Sequence, residues 1–467
     1  MTDFAALSAV DLLKLYRDKT LSPVEYFDWL EKRVAAWEPS LQALYLYRPE
    51  VGRVEAKAST ERWAKRAPKG PLDGVPVTIK ELVATKGDPV PSGSAATALV
   101  PAEADAPPAA RLKEDGAIAF AKTTCPDYAM LSSGISSFHP LTRNPWDLSK
   151  NPGGSSSGAG AAAAGGYGPL HLGTDIGGSI RLPAGWCGLF GLKPSYGRVP
   201  VDPFYFGRVA GPMTRTVDDA ALMMATLSRP DWRDGASLQP AAIDWFDLRT
   251  DVKGLRVGLM MDAGCGLPVE DEVRRAVTSA ARQFEQASAV IREVGPVLSR
   301  EMLDGMDNFW RARSWSDFET YEPSARAKIL PYILRWAEKG ASVSGVAAVR
   351  GYSQTNEMRK GAARLFHGVD IVLSPTAPGV AFPAEWASPI NDPDRPFEHI
   401  AFTLPWNMAE NPAASINCGF TRTGLPIGLQ IVGPRFADLS VLRIAKLYES
   451  WRGPIKWPEP KQARATA

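Results

Sequence analysis

Asn151-Pro152-Gly153-Gly154-Ser155-Ser156-Ser157-Gly158, followed by Gly173-Thr174-Asp175-Ile176-Gly177-Gly178-Ser179-Ile180-Arg181, decides how the rest of this chain is read. The two glycine-flanked serine clusters are joined by an alanine and glycine run at 159–164, which predicts a closely packed buried helix. Glycine beside a reactive serine permits backbone conformations barred to other residues and brings N–H groups close to a bound oxygen. Three uses compete for such loops. A flexible linker seldom carries residues such as Asp175, Ile176 and Arg181 or lies between apolar elements. A phosphate-binding loop requires Lys-Ser or Lys-Thr after its glycines, and neither cluster has one. The third use is nucleophilic catalysis.

Within the first cluster, Gly154-Ser155-Ser156-Ser157-Gly158 matches the short G-x-S-x-G nucleophile elbow around Ser156. That elbow needs a strand directly before it, and Arg143-Asn144-Pro145-Trp146-Asp147 reads as a loop. An α/β-hydrolase arrangement, with His367 or His399 as base, therefore fits poorly. Further upstream, Gly74-Val75-Pro76-Val77-Thr78-Ile79-Lys80 predicts a buried strand ending in a lysine.

Similar patterns recur along the chain. Residues 3–36 predict two amphipathic helices, the second opening at Ser22-Pro23. A helix from Pro107 leads through Gly116 into a strand at Ala117-Ile118-Ala119-Phe120, and His171-Leu172-Gly173 is a strand entering a turn. Strands are also predicted at 256–260 and 370–375, with a helix from Val269 to Ala287 between them. Ala414–Asn417 and Ile427–Val432 form a predicted hairpin. The stretch 225–255 reads as a surface excursion and the tail after Trp457 as frayed. Strands alternating with helices imply an α/β protein with one large sheet.

Composition narrows the function. The chain has 467 residues, 45% of them hydrophobic, and a formal net charge of +2, which gives no reason to expect nucleic acid or an anionic membrane as partner. Four histidines are too few and too scattered for a multi-histidine metal site. Cys125, Cys187, Cys265 and Cys418 contain no C-x-x-C pair and read as reduced core thiols. No run of about 18 apolar residues is present, and Met1-Thr2-Asp3-Phe4 does not open a signal peptide. A cytoplasmic protein without metal or organic cofactor is expected.

Lys80, both serine clusters and the continuation Leu182-Pro183-Ala184 together resemble the amidase signature family. The resemblance extends through Cys187-Gly188-Leu189-Phe190-Gly191-Leu192-Lys193-Pro194, Gly211-Pro212-Met213-Thr214-Arg215-Thr216-Val217-Asp218-Asp219-Ala220 and Gly424-Leu425-Pro426-Ile427-Gly428-Leu429-Gln430. It implies a mixed, twisted sheet covered by helices on both faces. It also implies one domain over 1–467, with N-terminal helices at about 3–65, a signature core at about 70–220 and a variable, substrate-shaping region at about 225–410. The implied catalytic set is Ser179 as acyl-forming nucleophile, Ser155 as the bridging serine on a cis peptide bond, and Lys80 as base. A lysine can act as base only when neutral, so its buried setting must lower its pKa. The amides of Ile176, Gly177, Gly178 and Ser179 form the expected oxyanion hole. Ser156 and Thr174 are expected to hydrogen-bond the relay, Asp175 and Arg181 to brace the loop, and Lys193 to be structural. Ser157 stands where many relatives have glycine.

The resemblance implies hydrolysis of a C–N bond beside a carbonyl, in amides and, in some members, carbamates (urethanes) or esters. Ala129 and Met130 lie where relatives place pocket walls. Phe204, Tyr205, Phe206, Trp310, Trp315, Trp386 and Trp406 fall in poorly patterned segments and are expected to be core or pocket aromatics. No cluster of basic residues in these segments points to an acidic substrate. The expected partner is a small amide or carbamate, and the expected state a monomer or homodimer. The main alternative is the amidase subunit of a tRNA-dependent amidotransferase, which usually carries Gln where this chain has Leu182. A dead, ligand-binding version of the fold would lack a triad member, and Lys80, Ser155 and Ser179 are all present.

Overall fold

A computed structural model describes residues 4–460. Among these residues eleven strands form one mixed sheet. They are β1 (Leu44–Tyr45), β2 (Pro76–Lys80), β3 (Ile118–Thr123), β4 (Leu170–Asp175), β5 (Phe190–Lys193), β6 (Val209–Thr214), β7 (Arg256–Leu259), β8 (Val290–Glu293), β9 (Ile371–Pro375), β10 (Ala413–Phe420) and β11 (Pro426–Val432). Their spatial order is β1-β3-β2-β4-β6-β5-β10-β11-β9-β7-β8. β2 runs parallel to both β3 and β4, and β7 parallel to β8 and β9, while the middle of the sheet is antiparallel. The expected α/β class with one large sheet is thus observed.

Both faces of the sheet are covered. Successive residues of a strand point to opposite faces, and here they enter different apolar clusters. Ile371, Leu373, Ala414 and Ile431 join one core, shared with helices Val217–Leu227, Asp271–Gln286 and Asp438–Arg452. Their neighbours Val372, Ala413 and Val432 join a second core with Leu182, Trp186 and Trp406. Such burial on two faces explains the near-continuous apolar runs of β9 and β11.

The helix start read at Ser22-Pro23 is a capping box. Ser22 Oγ accepts from the Glu25 amide, and the Glu25 carboxylate accepts from the Ser22 amide, at the head of helix Pro23–Leu41. The alanine and glycine run forms helix Ser157–Gly165, in which every residue is buried. Small residues are required there, because a Cβ on Gly158 would sit 2.3 Å from the Ala43 carbonyl oxygen.

The surface excursion read at 225–255 starts late, because residues 225–227 complete helix Val217–Leu227, while 228–255 contain no helix or strand. The tail corrects the sequence reading in part. Arg215 lies 4.4 Å over the Trp457 ring, while Arg33 donates to the Pro458 carbonyl at 3.2 Å and pairs with Glu459. The chain is therefore held through Glu459 by two arginines far away in sequence. The rest of that tail, 461–467, and the N-terminal Met1-Thr2-Asp3 lie outside the described residues. Two long helices, Arg300–Phe318 and Gly345–Gly368, have no clear sequence pattern. They meet at Gly305 and Gly351, where a Cβ on Gly351 would come within 2.1 Å of the Gly305 oxygen.

Candidate active site

β2 ends in Lys80, whose side chain is fully buried. Its Nζ donates to Ser155 Oγ at 2.8 Å, Thr174 Oγ1 at 2.9 Å and Ser156 Oγ at 3.1 Å. The parallel pairing of β2 with β4 brings Thr174 alongside, since Ile79 is in register with Leu172. Burial is the main influence on Lys80. It outweighs the opposing pull of Cys125, Asp175 and Glu81 and, helped by Arg208, pushes the ammonium pKa down to about 8. A substantial neutral fraction near pH 8 allows this amine to take a proton.

The loop before Ser155 is fixed from several sides. Asn151 Nδ2 donates to Ser133 Oγ at 2.7 Å and to the Ala384 carbonyl at 2.9 Å, and its Oδ1 accepts the Gly134 and Gly153 amides. The glycine pair has no room for side chains. Gly153 has φ +85°, with a Cβ position 2.5 Å from Trp186, and a Cβ on Gly154 would meet the Ser133 amide nitrogen at 2.5 Å. The Gly154–Ser155 peptide bond is cis. Ser156 ties the two clusters together, its amide donating to the Ser179 carbonyl at 3.2 Å.

Asp175 and Arg181 form a fully buried bidentate ion pair at 2.9 and 3.0 Å. Burial alone would raise the Asp175 pKa. The Arg181 guanidinium overrides it and, with Lys193 and the Ile180 amide, holds the carboxyl well below the usual carboxylate range. Asp175 also accepts the Gly178 amide at 2.8 Å and the Ile180 amide at 3.0 Å. Arg181 reaches on to the Thr403 carbonyl, Gln430 and Asn407, pinning the loop to two distant segments. Arg181→Met is expected to destabilise the fold by about 3–5 kcal/mol, because Asp175 would be left a buried, unpaired charge. Urea unfolding measures this, and a loss under about 1 kcal/mol would show that the pair is dispensable.

Ser179 is half-buried and lines a cavity of about 590 Å³ together with Ser155, Thr174, Ile176 and Gly177. Gly178 departs from the sequence expectation for the oxyanion site, since its amide is already committed to Asp175. The amides of Ile176, Gly177 and Ser179 donate to no acceptor among the described residues. Ala129 and Met130 lie on the same cavity wall, Ala129 at φ +55°.

The Amidase family model matches residues 28–442. The chain belongs to the amidase signature family. Members of this family hydrolyse amide C–N bonds. An acylamidase of Rhodococcus erythropolis is 32% identical over 469 residues, covering 98% of this chain and 97% of the relative. A glutamyl-tRNA(Gln) amidotransferase subunit of Chloroflexus aggregans is 33% identical over 461 residues, covering 92% of this chain and 93% of the relative. Among solved structures, a bacterial aryl acylamidase superposes with a TM-score of 0.88 at 28% identity, covering 95% of this chain and 96% of its own.

The elbow reading of Ser156 finds no histidine. Ser156 Oγ accepts from Lys80 and donates to the Thr174 carbonyl at 3.2 Å. His399 is buried against Trp186, its ring nitrogens without hydrogen-bond partners among the described residues. Of the aromatics singled out in the sequence, Phe204, Tyr205 and Trp310 line the cavity. Trp406 is core, Trp315 lies under Arg326, and Phe206 packs on Tyr196 and Tyr352. Trp386 is 40% exposed. Sequence reasoning missed Tyr128, Phe318, Trp336 and Phe397, and also two basic groups, Arg208 and Arg313. Arg208 and Arg313 are far apart in sequence and line one cavity because Arg313, on helix Arg300–Phe318, lies over Tyr205 in the segment leading into β6. Lys193, read as structural, is buried and donates to the adjacent Pro194 carbonyl at 2.8 Å.

Proposed function

We propose that the chain is a serine amidohydrolase cleaving small amides with apolar or aromatic groups, through an acyl-enzyme on Ser179. Carbamates and esters are the related substrates. The observation that carries this reading is the Lys80 Nζ–Ser155 Oγ hydrogen bond of 2.8 Å, beneath a cavity that both Ser155 and Ser179 line. Neutral Lys80 takes the Ser155 proton as Ser155 takes that of Ser179, so that Ser179 Oγ attacks the substrate carbonyl carbon. The resulting oxyanion faces the free amides of Ile176, Gly177 and Ser179, which are fixed before the reaction and so need no reorganisation. As the C–N bond breaks, the relay returns a proton to the leaving amine. Water, deprotonated by the same relay, then hydrolyses the ester on Ser179. Ser156 and Thr174 orient the Lys80 amine, and Ala129, Met130 and the aromatic wall suit an apolar group.

The experiment is a panel of aryl and alkyl amides, carbamates and esters, combined with a fluorophosphonate label. Turnover of at least one aryl amide is expected, together with a mass shift confined to the peptide carrying Ser179. Labelling of another serine would reject this nucleophile.

A second reading, the amidase subunit of a glutamine-dependent amidotransferase, draws on the 33% identity to the Chloroflexus aggregans protein. Leu182, in place of the usual Gln, weighs against it. Glutaminase activity that appears only when candidate partner proteins are added would favour this second reading over the first.

A further inference from the structure

Arg208 lines the catalytic cavity with Ser155, Thr174 and Ser179. It precedes β6, whose Val209 is in register with Asp175, so Arg208 lies next to Ile176 at the oxyanion side of the site. Among the described residues its guanidinium has one hydrogen-bond acceptor, the Pro203 carbonyl, and its buried Nε has no partner. Arg208 is half-buried, whereas the buried arginines among the described residues are each matched by an acid: Arg33 by Glu459, Arg181 by Asp175, Arg198 by Asp438 and Arg311 by Asp307. Arg208 has no carboxylate within 4.0 Å among the described residues.

Asp202 and Asp234 act on it only from beyond ion-pair distance, and a guanidinium, charged at any physiological pH, is costly to keep half-buried without a contacting counter-charge. The cavity does not supply one. Its only lining acid among the described residues, Asp317, lies 3.9 Å from Arg313, whose guanidinium covers the Tyr205 ring at 4.4 Å. The wall therefore carries two cations and one anion, and the cation without an acid partner is the one beside Ile176. An incoming carboxylate could engage its fork of donors.

We propose that Arg208 is a specificity-determining residue that binds a carboxylate on the substrate, so that the preferred amides are acidic ones. The anionic group would stand a few bonds from the scissile carbonyl, while the aromatic wall takes the apolar end. This inference rests on the hydrolytic reading above and deepens it.

The test uses the full chain and two pairs of anilides. Succinanilic acid and its neutral carboxamide place the charge on the acyl side. N-acetyl-3-aminobenzoic acid and its carboxamide place it on the amine side. The readout is the acid-to-neutral ratio of kcat/KM. In one pair the wild-type ratio is expected to be about 10 or more, falling to about 1 in Arg208→Met and partly restored in Arg208→Lys. The same compounds are titrated calorimetrically into Ser179→Ala and Ser179→Ala/Arg208→Met, which reads recognition without turnover. Thermal unfolding establishes that each variant is folded.

Equal use and equal binding of acid and neutral forms in both pairs would overturn the proposal. So would a ratio unchanged by Arg208→Met, since a residue that only tunes Lys80 or holds its loop slows both members alike and shifts the whole pH profile. Acid-selective binding without any turnover would uphold the role of Arg208 and reject the hydrolytic reading instead.

Discussion

Ser179→Ala is expected to lower kcat for any amide the wild type hydrolyses by about 10⁴-fold or more, because removing the nucleophile removes the covalent route altogether. The remaining rate would come from substrate binding and from the amides of Ile176, Gly177 and Ser179, which the substitution leaves in place. Ser179 is only half-buried and its side chain forms no hydrogen bond among the described residues, so stability should change by no more than about 0.5 kcal/mol. Steady-state kinetics with a urea unfolding curve on the same preparation separate the two effects. Activity that survived in a folded Ser179→Ala chain would place the nucleophile elsewhere.

Lys80→Met has the second large effect, and its signature is in the pH dependence. Wild-type kcat/KM should rise with pH through about 8, the value to which burial pushes Lys80, and then level off as the amine becomes fully neutral. In Lys80→Met this rise should disappear, with a loss of about 10³-fold or more at the plateau. Stability should move as well. The Lys80 pKa is lowered on folding, so between about 8 and its ordinary value of 10.5 the unfolded chain holds a proton that the native chain has lost. Native wild type therefore gains stability as pH rises across that window, and Lys80→Met lacks this contribution. The variant's stability relative to wild type should accordingly fall by up to about 3 kcal/mol from pH 8 to 10.5. A pH–rate profile that stayed the same in Lys80→Met would remove Lys80 from the role of base.

Much of the fold is legible in the sequence where short-range physics decides it. β2, β3, β9 and the β10–β11 hairpin are marked by β-branched runs and turn residues, and helix Pro23–Leu41 by Ser22, Pro23 and Glu25. Helices Arg300–Phe318 and Gly345–Gly368 are not, because their contact depends on close approach at Gly305 and Gly351, which leaves no broad apolar stripe to recognise. The tail departs from its sequence pattern for a similar reason. Its proline and charge content suggests fraying, and only the fold brings Arg33 and Arg215 against it.

The candidate site divides in the same way. Lys80, Ser155 and Ser179 could be picked out because each belongs to a motif whose spacing is nearly fixed by its own loop or strand. That Gly178 spends its amide on Asp175, and so leaves three neighbouring amides without an acceptor among the described residues, depends on where the Asp175–Arg181 pair settles. The aromatic wall and the placement of Arg208 beside it depend on packing between segments about a hundred residues apart. The sequence by itself determined the family, the sheet-forming segments and the chemical identity of the serine–lysine cluster, since these follow from local pattern and motif. Only the tertiary structure decided how far Lys80 is desolvated, which amides stay free and which arginine lines the cavity without an acid partner. Burial and Coulomb interactions are set by distances across the fold, and linear sequence does not contain those distances.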